Sequence, residues 1–218
     1  MAEARLERRL AAIMAADVVG YSRLMERDEP GTFARLKRLR RELIEPVLAR
    51  HSGRLVDLKG DGGIVEFGSA VKAVEAAVEI QRAMLDQDME LPEDRRIRYR
   101  IGINLGDVIV EGRIIYGDGI NVAARIESLC EPGGVWLSRS VYNQVRGKLD
   151  VAYQAAEAHH GCQRSNRQGD PKESQQDTHL VDPEFLPGFH QRGHEAGHAL
   201  TPAVSASASG VSTPVSSR

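Results

Sequence analysis

The chain has 218 residues, 41% hydrophobic and 28% charged, with a formal net charge of −2, which describes one ordinary soluble domain with extra segments and gives no support for a nucleic-acid or lipid surface role. Its two cysteines, Cys130 and Cys162, make neither a disulfide framework nor a C-x-x-C metal spacing, so the expected setting is the reducing cytoplasm. No apolar run approaches the ~20 residues that cross a bilayer, and the charged start MAEARLERRL lacks a signal-peptide core; a membrane anchor or sensor is expected on another chain.

Residues 9 to 19 form an apolar run that predicts a buried strand. Residues 31 to 50 place Phe33, Leu36, Leu39, Leu43 and Val47 at helical spacing, with Pro46 expected to bend the helix. Strands at 54 to 59 and 63 to 67 flank Gly60, Asp61 and Gly62, a hairpin with a carboxylate at its tip. A second amphipathic helix follows over 69 to 86. The stretch 97 to 110 then alternates so that Ile97, Tyr99, Ile101 and Ile103 share one face. A helix over about 120 to 130, a strand at 135 to 138 and a helix at 139 to 149 complete the regular part. The order predicts an α+β sheet with helices packed on one face.

Asp17 and Asp61 each end a strand-like run just before glycine-rich backbone. Two carboxylates brought to tight turns make a clamp for magnesium, which commonly takes one or two of them and completes its octahedron with substrate phosphates. The Val18 carbonyl is the expected third ligand. Val19, Gly20, Tyr21 and Ser22 follow, with backbone N–H groups suited to phosphate oxygens. Asn121 and Arg125 stand four apart in NVAAR, hence on one helical face.

Three blocks occur in order: ADVVGYSRLM (16 to 25), GDGGIVEF (60 to 67) and RIGINLGDVIVEG…YGDGINVAARIESL (100 to 129). Over roughly residues 8 to 154 the chain resembles the catalytic domain of the class III nucleotide cyclases, most closely those of rhizobial type. The resemblance implies a ferredoxin-like βαββαβ core with trailing α/β elements, and conversion of ATP (alternatively GTP) to the 3′,5′-cyclic monophosphate with two Mg²⁺ or Mn²⁺ ions. It assigns Asn121 to the ribose and Arg125 to the α-phosphate transition state. It also implies a homodimer in which the Asp pair and the Asn/Arg pair of one site come from different subunits. The two purine-reading positions fall on Asp57 and Ile114, which match neither the adenine nor the guanine pattern, although Lys59 shares a strand face with Asp57. A weakly active or inactive domain that binds nucleotide and dimerises is therefore the alternative function.

The boundary is placed after Gln154, giving a catalytic domain over 1 to 154. Residues 155 to 218 lose periodicity and end in SASASGVSTPVSS, a low-complexity tail expected to be disordered. The closing strand and phosphate-contacting Lys that the resemblance implies are missing after VAYQ. A changed reading frame near Gln154 or a natural linker accounts for this. His194 to His198 spell H-E-x-x-H, but adjacent glycines and prolines deny it the helix a zinc site needs; His159, His160 and Cys162 likewise lack a supporting fold.

Overall fold

The computed structural model describes residues 7–89, 91–112, 114–151, 153–155 and 178–181. Strand β1 (Glu7–Val18) is followed by helices α1 (Tyr21–Arg27), α2 (Glu29–Leu39) and α3 (Glu45–Arg50), then β2 (Arg54–Lys59), β3 (Gly62–Phe67) and α4 (Ala70–Asp88). Next come β4 (Tyr99–Glu111), β5 (Ile114–Tyr116), α5 (Asp118–Leu129), β6 (Val135–Ser138), α6 (Arg139–Val145), β7 (Tyr153–Ala155) and β8 (Thr178–Val181). The sheet runs β2-β3-β1-β4-β6-β8-β7, with β5 paired to β4. Strands β2, β3, β1 and β4 pair antiparallel with one another, and β4 pairs in parallel with β6. Their order and the intervening helices are those of the ferredoxin-like βαββαβ unit, as the sequence predicts.

Alternation along β1 explains the two layers. Ala12, Met14 and Val18 point into one core with Ile101, Ile103, Val74, Ala77 and Val141; Ala11, Ile13 and Ala15 point to the other side, against Val108, Ile115 and Ala123. The helices therefore do not share one face. Helix α5 covers the opposite side of the sheet, because β4 presents Gly102 there: a Cβ at Gly102 would stand 2.3 Å from Glu127 N and 2.5 Å from Ala123 O. Only a glycine lets the α5 backbone lie this close to the strand. Asn104, two residues along the same face, donates from Nδ2 to Gly119 O at 3.1 Å and ties down the start of α5.

On the other face α4 starts at Ser69, whose side chain accepts from Lys72 N. Its buried Gln81 donates to the carbonyls of Tyr99 and Gly134 at 3.0 and 2.9 Å, joining α4 to the ends of β4 and β6.

Two local expectations are corrected. The segment over 31 to 50 is not one uniform helix, since Arg40–Ile44 forms a π turn between α2 and α3. Pro46 has no N–H for the ordinary i−4 bond, and widening the preceding turn is how the chain continues past it. The sheet is also closed beyond Gln154. Ala155 belongs to β7, and Thr178–Val181 inserts between β6 and β7, antiparallel to both. The run THLV is short and flanked by polar sequence, so no period marked it. The rest of the tail, including His159, His160, Cys162 and His194 to His198, lies outside the described residues. Among the described residues no helix is long and apolar enough to cross a membrane.

Candidate active site

The two acidic residues meet because of strand register. Asp17 is the penultimate residue of β1, paired with Arg100 of β4, and Ala16 pairs with Gly63 at the start of β3. That register sets the β2–β3 tip beside the end of β1. Gly60 turns the chain there at φ +60, a left-handed conformation that glycine adopts without strain. Asp61 thereby comes within hydrogen-bonding reach of Asp17. Burial raises the Asp61 pKa above its usual 3.8; a backbone hydrogen bond lowers it, the neighbouring Asp17 charge and hydrogen bond raise it again, and Arg100 pulls down more weakly. Two half-buried carboxylates forced together favour a bound cation.

Arg100 supplies part of that cation in the protein alone. Its Nη2 donates to Asp17 Oδ2 at 2.9 Å, and its Nε lies 3.1 Å from Glu127 Oε1 of α5. Burial raises the Glu127 pKa, against the opposing charge of Arg100. The sequence reading missed Arg100 and Glu127. The available signal was the alternation in β4: with Tyr99 and Ile101 in the core, Arg100 must point to the face where Asp17 lies.

Beyond Asp17 the backbone turns sharply. The Val19 N–H donates to Arg98 O at 2.8 Å, so it is spent within the sheet and is withdrawn from the four amides expected to face phosphate. Gly20 adopts φ +66 and caps α1 without any side-chain hydrogen bond, leaving the first-turn amides of Tyr21 and Ser22 unpartnered within the helix. Arg23 folds back over this turn, its guanidinium 3.6 to 3.8 Å from where a Gly20 Cβ would stand.

Asn121 and Arg125 lie on the outer side of α5, exposed, while Val122, Ala123 and Ile126 face the sheet. The two side chains share a face as expected, and neither bonds to a described residue. Asp57 sits half-buried in β2 just after a bulge between Leu55 and Asp57. Ile114 is 54% exposed on β5, a short strand the sequence reading did not anticipate. The Lys59 side chain is outside the described part.

The donor set suits a hard divalent ion: two carboxylates, and no cluster of three His, Cys, Asp or Glu among the described residues that would form an all-protein cage.

A family model for the adenylate and guanylate cyclase catalytic domain matches residues 7–165. The chain is 52% identical over 153 residues to "Putative adenylate cyclase 3" of Rhizobium meliloti, covering 70% of this chain and 26% of that protein. It is 30% identical over 133 residues to an adenylate cyclase of Streptomyces coelicolor, covering 61% of this chain and 33% of that one. The chain thus spans a third or less of the length of these two relatives. Among solved structures, the adenylate/guanylate cyclase/hydrolase of Silicibacter pomeroyi aligns with TM-score 0.68 at 40% identity, covering 81% of this chain and 97% of that one.

Proposed function

The chain belongs to the adenylate and guanylate cyclase catalytic-domain family, and from that premise we propose that it converts ATP to 3′,5′-cyclic AMP and pyrophosphate as a cytoplasmic homodimer. The observation that carries this reading is the convergence of Asp17 and Asp61 at the end of β1. In the reaction the ribose 3′-oxygen forms a bond to the α-phosphorus, the bond from that phosphorus to the β-phosphate bridging oxygen breaks, and the 3′-hydroxyl proton leaves to solvent.

Asp17, Asp61 and the Val18 carbonyl would hold Mg²⁺ or Mn²⁺, two ions per site. Such ions supply a lowered pKa at the 3′-hydroxyl and charge neutralisation at the leaving pyrophosphate. The amides of Gly20, Tyr21 and Ser22 hold the β- and γ-phosphates by donating N–H bonds. Asn121 and Arg125 reach the site from the partner subunit, Asn121 orienting the ribose and Arg125 offering its guanidinium to charge that grows on the α-phosphate. Their outward exposure on α5 supports this division, because among the described residues neither side chain has a bonding partner. Cyclic AMP formed from ATP in Mn²⁺ by the chain, and lost in Asp17→Ala, tests the reading; product undiminished in that variant would contradict it.

Asp57 and the exposed Ile114 favour a second reading, in which base discrimination is weak and GTP is also turned over, or turnover is slow. A carboxylate accepts hydrogen bonds but offers none to an adenine ring nitrogen. Asp57→Lys is expected to raise kcat/KM for ATP by about 10-fold over wild type, the size of one charged hydrogen bond. Comparing ATP and GTP kinetics in both proteins measures it, and no change would show that β2 does not read the base.

Proton competition gives a third test. The raised pKa means that Asp61 binds its proton more readily in the fold than in the unfolded chain. Its protonated form is therefore favoured as pH falls through the raised value, and that contribution is lost as pH rises. A metal takes the ionised form. Mn²⁺ affinity, measured calorimetrically without nucleotide, is thus expected to weaken on acidification while still above the ordinary carboxylate range, with proton release on binding. Affinity that stays level until the usual 3.8 would contradict the coupling.

A further inference from the structure

We infer that Arg100 is a two-seat counter-ion: it occupies Asp17 in the metal-free protein and yields that oxygen by moving its charge fully onto Glu127 of α5 when a divalent ion arrives. The inference rests on the reading of Asp17 and Asp61 as metal ligands. Arg100 and Asp17 are direct partners across β1 and β4, and the 2.9 Å bond to Oδ2 uses an oxygen a metal would need. A guanidinium and a divalent ion cannot both sit on it without strong repulsion.

The second seat is already built. Glu127 is 12% exposed in its side chain, and among the described residues Arg100 is the cation it meets. Burying a carboxylate this way is unfavourable unless a charge partner is kept nearby. Yet the pair is only half made: Nε and Oε1 stand 3.1 Å apart, and neither atom is aligned for a hydrogen bond. Glu127 thus has unused acceptor capacity, and Arg100 has a short path to it. Gly102 holds α5 against β4 at backbone contact, so the seat stays fixed while the side chain turns.

The test is Mn²⁺ binding to the full chain without nucleotide, followed by the electron paramagnetic resonance signal of free Mn²⁺. Arg100→Met is expected to bind Mn²⁺ about 10-fold more tightly than wild type, since no cation has to be displaced. Glu127→Gln is expected to bind about 10-fold more weakly, because Arg100 loses its alternative and remains on Asp17. In the double variant the Glu127 effect disappears, because it acts only through Arg100. A merely structural pair would weaken binding in both single variants, and that result, or no change in either, overturns the inference. If Arg100→Met fails to fold, Arg100→Gln carries the same expectation. Asp17→Asn separates the two claims. If it abolishes Mn²⁺ binding while the Arg100 variants leave affinity unchanged, the inference alone falls. If Asp17→Asn binds like wild type, the metal reading falls and takes the inference with it.

Discussion

Arg125→Ala is expected to lower kcat for cyclic AMP by roughly 10³-fold while KM for ATP moves little. The reason is the stage at which the guanidinium acts. Negative charge accumulates on the α-phosphate oxygens only as the 3′-oxygen attacks and pyrophosphate departs, and an interaction made chiefly in the transition state appears in kcat. The fold offers a clean background for this substitution. Arg125 is exposed on the outer side of α5 and bonds to no described residue through its side chain. Its removal should therefore change stability by no more than about 0.5 kcal/mol. Steady-state kinetics beside thermal melting check both halves. An equal loss in a protein that melts much earlier would point to a folding defect, and a rise in KM alone would make Arg125 a binding group.

Gly102→Ala is expected to have an effect of similar size by a different route. The added methyl would meet three backbone atoms, Glu127 N at 2.3 Å, Ala123 O at 2.5 Å and Glu127 Cα at 2.8 Å. Backbone on both sides cannot rotate away, so α5 must move off the sheet. Overpacking of this kind costs about 3 kcal/mol, or roughly 6–12 °C in melting temperature for a domain of this size. The displaced helix carries Asn121, Arg125 and Glu127 with it, so activity should fall at least ~100-fold even where the protein stays folded, since a 1 Å misplacement already has that effect. Gly68→Ala is the control, because a Cβ there meets nothing within 4 Å. Melting curves and turnover for the pair decide the point, and an unperturbed Gly102→Ala would mean that α5 is not seated as described.

How legible this was in the sequence depended on the range of the forces involved. Asp17 and Asp61 could be singled out because each stands where an apolar run gives way to glycine, a local change of pattern. Their mutual approach was also foreseeable, since a hairpin tip beside the end of a neighbouring strand has few other places to go. The pairing of Arg100 with Asp17 spans 83 positions; alternation fixed the face of Arg100 but not its neighbour. Phe33 shows a different failure. It fitted a single helical period over 31 to 50, yet it is 59% exposed. Leu36 and Leu39 of the same helix do pack against the core, so a helical period identifies the apolar face without saying how far along it the core extends. Strand β8 was missed because its pairing partners, β6 and β7, supply what its own four residues cannot. The division of Asn121 and Arg125 from the Asp pair was implied only by family resemblance, and their exposure without a bonding partner among the described residues supports it.

That division is open to one direct measurement. Asp17→Asn and Arg125→Ala chains are purified separately, assayed alone, then mixed one to one, allowed to exchange subunits, and assayed for cyclic AMP. Each variant alone should be nearly inactive, and the mixture should recover about a quarter of wild-type activity, since half the dimers are mixed and each then holds one complete site. Silence in the mixture despite demonstrated subunit exchange would contradict a site shared between protomers, as would substantial turnover by either variant alone.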